Sequence, residues 1–182
     1  HVFCLGDYVC WSAPTGARGN WRYEGVIYQK TEDPLNRDGK MCLYAPDVTV
    51  GPDGRFYLYY VLDHVSVVSV AVSDTPAGKY HFLGYVHYPD GTRLGERPGD
   101  EPQFDPGVLT EGDRTYLYTG FCGRGDTSRT GAMVTVLGPD MLTIEEAPVF
   151  IVPGCEHSAG TEFENHAFFE APSIRRRGDT YY

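Results

Sequence analysis

The sequence predicts an all-β protein built from the blades of a β-propeller. The 182 residues include 14 Tyr, 9 Phe, 22 Gly and 13 Pro, a composition typical of short strands joined by tight turns. No stretch keeps apolar residues at helical spacing over three turns, because Pro or Gly interrupts most of the windows that are long enough. A plan of two hairpins also recurs about every sixty residues, and four antiparallel strands per repeat describe a propeller blade.

The first hairpin of each repeat begins near an acid and a proline, turns at a glycine and returns as an aromatic strand. Complete copies run over 45–60 and 104–118, and a third copy occupies 170–182. The turns of the three copies contain Gly54, Gly112 and Gly178. The second hairpin falls between these copies, at 8–26, 70–86 and, more weakly, 133–144.

This register predicts one propeller domain over residues 1–182. It places the outer half of a first blade at about 1–30, full blades at about 43–90 and 103–152, and the first strands of a fourth blade after them. The intervening segments are rich in Gly, Pro and charge and predict loops; they are 31–42, 87–103 and 153–168. A propeller closes on itself to cover its strand edges, so we expect a chain of about three blades to be truncated at both ends.

The net charge and the short apolar runs of the chain argue against two classes of partner. The formal net charge is −10, whereas a nucleic-acid-binding domain normally carries a basic face. No apolar run approaches the roughly 20 residues that span a bilayer, so no membrane association is expected. No signal peptide is visible, which leaves the compartment open, and the oligomeric state is equally open. The five cysteines are irregularly spaced without a Cys-x-x-Cys pair, which favours buried reduced thiols.

Three acids are expected at the same place in the three repeats, near the starts of the predicted innermost strands. These acids are Asp47, Asp105 and Glu170. Since innermost strands line the propeller axis, we expect the three carboxylates to meet in one pocket, where mutual repulsion would raise the pKa of at least one. A glycosidase needs such an arrangement, with one carboxyl to protonate the leaving oxygen and another to activate water. The alternative for any single acid is a turn cap beside a proline.

The same residues resemble a known family. The segments Ala45-Pro46-Asp47, Phe104-Asp105-Pro106 and Glu170-Ala171-Pro172-Ser173-Ile174 are similar to motifs of glycoside hydrolase family 43, the five-bladed propeller arabinofuranosidases, xylosidases and arabinanases. The resemblance covers essentially the whole chain. It implies an inverting mechanism in which Glu170, from the Glu-(Gly/Ala)-Pro motif, is the general acid. It also implies that Asp105 tunes the pKa of the acid and orients it.

The resemblance leaves the general base unassigned and suggests several substrate contacts. The family's base is an Asp in the first inner strand, and we expect it to lie upstream of His1. Asp47 would stand at the pocket wall and contact sugar hydroxyls, with a structural turn as the alternative. Phe168 and Phe169 directly precede Glu170 and could stack on a sugar. His166 could donate to a sugar hydroxyl or a carboxylate, or could simply be a solvent-exposed loop residue.

The expected function is therefore hydrolysis of a carbohydrate substrate. The resemblance implies release or cleavage of α-L-arabinofuranosyl or β-D-xylosyl units from plant cell-wall glycans or oligosaccharides. No cofactor is expected to be required, although propellers of this family often hold a calcium ion on the axis. The alternative is a propeller that binds glycan without cleaving it. The sequence separates neither arabinofuranoside from xyloside specificity nor exo from endo action.

Overall fold

The computed structural model of the chain describes residues 6–120 and 131–182. Within these residues there are twelve β-strands and two short 3-10 turns, Lys30–Glu32 and Pro34–Asn36. In chain order the strands are β1 Tyr8–Ser12, β2 Arg22–Tyr28, β3 Leu43–Val50, β4 Phe56–Leu62, β5 Ser69–Ser73, β6 His81–Tyr85, β7 Gly107–Glu111, β8 Arg114–Thr119, β9 Gly131–Leu137, β10 Ile144–Pro153, β11 Arg176–Arg177 and β12 Thr180–Tyr181.

The strands form two four-stranded sheets and two separate hairpins. One sheet has the order β3-β4-β5-β6 and the other the order β7-β8-β9-β10, and all neighbours are antiparallel. The hairpins are β1-β2 and β11-β12. Successive strands lie side by side, as in a propeller blade. The three predicted turn glycines, Gly54, Gly112 and Gly178, have φ values of 81°, 64° and 61°, the left-handed conformation that glycine adopts without strain.

The core is built around β4, which is buried on both faces. Side chains alternate along a strand, so Tyr57, Tyr59 and Val61 point one way and pack with residues of the β7–β10 sheet. The intervening Leu58, Tyr60 and Leu62 point the other way and pack with Tyr8 and Tyr28 of the β1-β2 hairpin. The β3–β6 sheet is therefore held between its two neighbours, as a blade inside a propeller is.

The loop between β2 and β3 is fixed by one buried carboxylate. Asp33 is fully buried and accepts hydrogen bonds from the hydroxyls of Tyr60, Ser69 and Tyr85 at 2.7, 2.8 and 2.9 Å. It also accepts from the amide of Leu35 at 2.9 Å. Three strands and the loop itself each supply one donor to this residue, so the predicted loop is held firmly on the β3–β6 sheet.

The cysteines only partly match expectation. Cys42 is buried, Cys10 is half-buried and Cys155 is exposed, so the expectation of burial is wrong for Cys155, which follows β10 in a loop. Cys4 and Cys122 lie outside the described residues. In the ranges that the structure describes, no helix is long and apolar enough to cross a membrane.

Candidate active site

The same local backbone conformation recurs where each of three successive inner segments begins. Ala45, Asp105 and Ala171 each precede a proline, and their φ values are 47°, 48° and 55°. A non-glycine residue with positive φ is uncommon, and a following proline restricts its backbone further. The three residues therefore share one backbone conformation. Ala45 lies near the start of β3, Asp105 lies just before β7 and Ala171 lies before β11, and we call these three places the heads of the inner segments.

This equivalence corrects the expected alignment of the acids. Asp105 is the left-handed residue itself, Asp47 stands two residues after Ala45, and Glu170 stands one residue before Ala171. The expectation that three acids occupy the same place in three repeats is wrong, because each stands at a different position relative to the left-handed turn. The residues equivalent to Glu170 are aromatic: Tyr44 and Phe104, whose ring centroids lie 5.9 Å apart.

The three heads nevertheless surround one surface depression. It has a volume of about 240 Å³ and is lined by residues 45–47, 105–106 and 171–173. Asp47 and Asp105 both belong to this lining, and exposed Glu170 is the residue next to it along the chain. The structure thus brings two of the three predicted acids into one depression and places the third at its border.

Asp105 is nearly buried and contacts the backbone beside Glu170. Its side chain is 7% exposed, and its Oδ2 accepts a hydrogen bond from the amide of Ala171 at 3.1 Å. That amide belongs to the peptide bond joining Glu170 to Ala171. Asp105 therefore holds the backbone from which the Glu170 side chain projects.

Asp47 makes two backbone contacts. Its Oδ1 accepts from the amide of Val48 at 2.9 Å, and its Oδ2 accepts from the amide of Val108, in β7, at 2.8 Å. The second bond joins β3 to the inner strand of the next sheet. These contacts correspond to the structural role that the sequence left open, and a contact between Asp47 and a sugar hydroxyl stays a prediction.

The segment before Glu170 holds the remaining candidates. The amide of Phe168 donates to the Pro153 carbonyl at 3.0 Å, which ties this half-buried residue to the end of β10. Phe169 is 58% exposed and His166 is exposed. Phe169 and His166 are thus accessible to a ligand, whereas the Phe168 side chain is partly covered. Sugar binding by these three residues stays a prediction.

No candidate metal site is present in the described part of the chain. Within residues 6–120 and 131–182, no group of three or more His, Cys, Asp or Glu side chains is arranged to hold a metal ion. The axial calcium that the resemblance implies therefore has no ligand set among these residues and stays an expectation.

Comparison with known proteins identifies the family of the chain. The model for glycosyl hydrolases family 43 matches residues 8–182. The chain belongs to this family. A xylosidase/arabinosidase of Thermoclostridium stercorarium is 75% identical over all 182 residues, and the chain spans only 38% of the length of that relative.

Solved structures of family 43 enzymes share the fold. An α-L-arabinofuranosidase from Clostridium thermocellum matches with a TM-score of 0.67 and 23% identity, over 100% of this chain and 53% of that one. The GH43_1 enzyme from Xanthomonas citri, in complex with xylotriose, matches with a TM-score of 0.70 and 21% identity, over 97% of this chain and 56% of that one. The predicted all-β propeller fold is confirmed, with this chain forming part of a propeller.

Proposed function

We propose that the protein carrying this chain is an inverting glycoside hydrolase that acts on pentose units, α-L-arabinofuranosyl or β-D-xylosyl, of plant cell-wall glycans. The observation that carries the proposal is the hydrogen bond from the Ala171 amide to Asp105, which fixes the backbone of Glu170 at the border of a depression lined by acids. Membership of family 43 and the 75% identity to a xylosidase/arabinosidase support the reaction class and the pentose substrate.

In this proposal Glu170 is the general acid. As the glycosidic bond breaks, the Glu170 carboxyl gives its proton to the leaving oxygen. Water attacks the anomeric carbon from the opposite face and loses a proton to a carboxylate base roughly 6.5–9.5 Å away, so the configuration inverts. Glu170 is exposed, which leaves its carboxyl accessible to a leaving group. The residues described here include no assigned base, and the base belongs to another part of the protein.

Asp105 is a positioning residue in this mechanism. Its bond to the Ala171 amide holds the peptide next to Glu170 and so limits the directions in which the acid can point. Correct orientation matters because a misplacement of about 1 Å costs on the order of a hundredfold in rate. Asp105 thus acts on the reaction through Glu170.

The proposal is tested with the full-length protein and a Glu170→Gln variant. We expect hydrolysis of 4-nitrophenyl α-L-arabinofuranoside or β-D-xyloside by the wild type. Loss of a general acid costs typically 10²–10⁴-fold on an alkyl glycoside or oligosaccharide, whose leaving group needs the proton. The loss on the 4-nitrophenyl substrate should be much smaller, because nitrophenolate leaves with little help.

Exposed Glu162, in the loop before Glu170, supplies a matched control: Glu162→Gln should change neither rate. Equal losses on all substrates in Glu170→Gln would contradict the role of Glu170 as the acid. No hydrolysis of either nitrophenyl substrate by a folded protein would favour a glycan-binding propeller or an endo-acting enzyme that needs a polymer.

A further inference from the structure

Two carboxylates of this chain make the same kind of bond, from one inner segment to the next. Asp47 accepts the amide hydrogen of Val108, 61 residues along the chain, and Asp105 accepts that of Ala171, 66 residues along. Each bond therefore joins the inner segment of one sheet to the inner segment that follows. Together the two bonds form a series that starts at Asp47 and ends at the peptide bond beside Glu170.

The connection between the two bonds is short, and it packs against the segment that carries Glu170. Asp105 and Val108 are separated only by Pro106, whose ring fixes φ, and by Gly107. A Cβ atom added at Gly107 would lie 2.4 Å from the Pro172 carbonyl oxygen, so this backbone is already in contact with the segment that carries Glu170. A displacement of the Val108 amide therefore moves Asp105.

We infer that Asp47 is a positioning residue of the active site: by holding the Val108 amide, it sets the place of Asp105 and, through Ala171, the direction of Glu170. This inference rests on the proposed function for its effect on catalysis. The structural coupling between Asp47 and Ala171 is independent of the proposed function. It differs from the expectation that Asp47 binds sugar, because both Asp47 oxygens accept backbone amides.

The chain offers a matched control for this inference. The Thr49 hydroxyl donates to the Thr110 hydroxyl at 3.0 Å, so it also joins β3 to β7 across 61 residues. Neither threonine lines the depression. Thr49→Val also removes one side-chain hydrogen bond between β3 and β7. That bond lies farther from Asp105 than the bond between Asp47 and Val108 does.

The first experiment measures amide hydrogen exchange in the full-length protein and needs no activity. Asp47→Ala should speed exchange in the peptide that contains Val108 and also in the peptide that contains Ala171. Thr49→Val should leave the Ala171 peptide unchanged. Unchanged exchange at Ala171 in Asp47→Ala would overturn the inference, whatever the enzyme hydrolyses.

The second experiment measures kcat and KM on an oligosaccharide and on a 4-nitrophenyl glycoside. Misplacement of the acid predicts that Asp47→Ala lowers kcat roughly tenfold to a hundredfold on the oligosaccharide and much less on the nitrophenyl substrate. Asp47→Asn, which keeps one oxygen to accept from Val108, should recover most of that loss. A rise in KM with unchanged kcat would instead show direct sugar binding and overturn the inference.

Inactive wild type, or full activity in Glu170→Gln, would count against the proposed function alone. The exchange measurement decides the structural coupling in either case.

Discussion

At the scale of single residues, the left-handed positions before proline concentrate strain at the candidate active site. This conformation costs a non-glycine residue about 1–2 kcal/mol, and such strain persists only where surrounding contacts stabilise the conformation. At Ala171 the holding contact is the hydrogen bond to Asp105. The conformation is consistent with Gly or Ala in the Glu-(Gly/Ala)-Pro motif, since glycine adopts positive φ without strain and alanine adds the smallest side chain.

Substitutions of Ala171 test this account of the motif. Ala171→Gly should keep activity and change the free energy of unfolding by at most about 1 kcal/mol, because relief of strain is partly offset by greater freedom of the unfolded chain. Ala171→Val places a branched side chain at φ 55° and should lower stability by about 1–3 kcal/mol. Urea unfolding measures both values, and equal stability of the two variants would contradict the strain.

The buried carboxylate of Asp33 gives a second prediction. Asp33→Ala leaves three hydroxyls and one amide without their acceptor, so we expect a loss of about 3–5 kcal/mol in the free energy of unfolding. Asp38→Ala is the control, because exposed Asp38 bonds only with Lys40 among the described residues, and its removal should not change stability measurably. A loss in Asp33→Ala no larger than in the control would mean that the buried bonds contribute little.

Sequence reasoning recognised the motifs of Asp105 and Glu170 but misjudged how the acids correspond. The acids were grouped in the sequence because each lies near a proline. The distance between an acid and a proline does not show which residue has a positive φ. The backbone equivalence of Ala45, Asp105 and Ala171 became visible only in the structure. The contact of Asp47 with Val108 likewise depends on how two sheets are placed, which a single sequence does not specify.

At the scale of elements, β7 and the segment that carries Glu170 approach each other at Gly107. The Pro172 carbonyl oxygen occupies the place where a side chain at residue 107 would begin, at 2.4 Å from an ideal Cβ. Only glycine permits this approach, because the obstacle is backbone rather than a flexible side chain.

Gly107→Ala should therefore push the 171–173 segment away from β7 and weaken the Asp105 bond to Ala171. We expect kcat on an oligosaccharide to fall roughly tenfold or more, since the acid loses its orientation. Gly19→Ala serves as the control, because a Cβ at Gly19 meets nothing within 4 Å. Equal kcat in the two variants would show that the segment accommodates the methyl group without moving Glu170.

The loops were the least predictable elements. Composition correctly predicted a loop after β6, but it did not predict the contacts within that loop. Asp100 accepts from the Tyr88 hydroxyl at 2.8 Å and from the amides of Gly95 and Arg97 at 2.9 and 3.1 Å. The Arg97 guanidinium lies 3.4 Å from the centroid of the Tyr88 ring. Such contacts have no periodic pattern in the sequence, whereas the strands do, which explains why the hairpins were predictable and the loop conformation was not.

At the scale of the whole molecule, buried tyrosines make stability depend on alkaline pH. Burial is the largest cause that raises the pKa of nine tyrosines above the ordinary value near 10; they are Tyr28, Tyr44, Tyr57, Tyr59, Tyr60, Tyr80, Tyr85, Tyr88 and Tyr118. The pKa rises to about 12 for Tyr80 and, with the hydrogen bond to Asp100 as a further cause, to about 12 for Tyr88. Well below pH 10 these groups are neutral in both the folded and unfolded chain.

Stability should therefore hold up to about pH 10 and fall above it, because the unfolded chain releases protons that the folded chain retains. Each such tyrosine adds a slope of about −1.4 kcal/mol per pH unit until its folded pKa is reached. Urea unfolding between pH 9 and 12, followed by tyrosinate absorbance, measures the decline. Tyr80→Phe should make it shallower between pH 10 and 12, and an unchanged slope would show that Tyr80 ionises within the folded protein.

The bonds between neighbouring sheets also suggest an order of assembly. Asp47–Val108, Thr49–Thr110, Asp105–Ala171 and Tyr181–Glu111 join residues 61, 61, 66 and 70 positions apart. Each of these bonds thus ties a sheet or hairpin to the one made just before it, as in repeat proteins that fold by adding units to an existing end. A nascent chain leaving the ribosome could then lock each blade as soon as the next sixty or so residues emerge, without waiting for distant partners. If the blades fold in this order, the blade that begins at Asp105 forms before Glu170 is oriented. The general acid then reaches its position only after Asp105, the residue that holds its backbone, is in place.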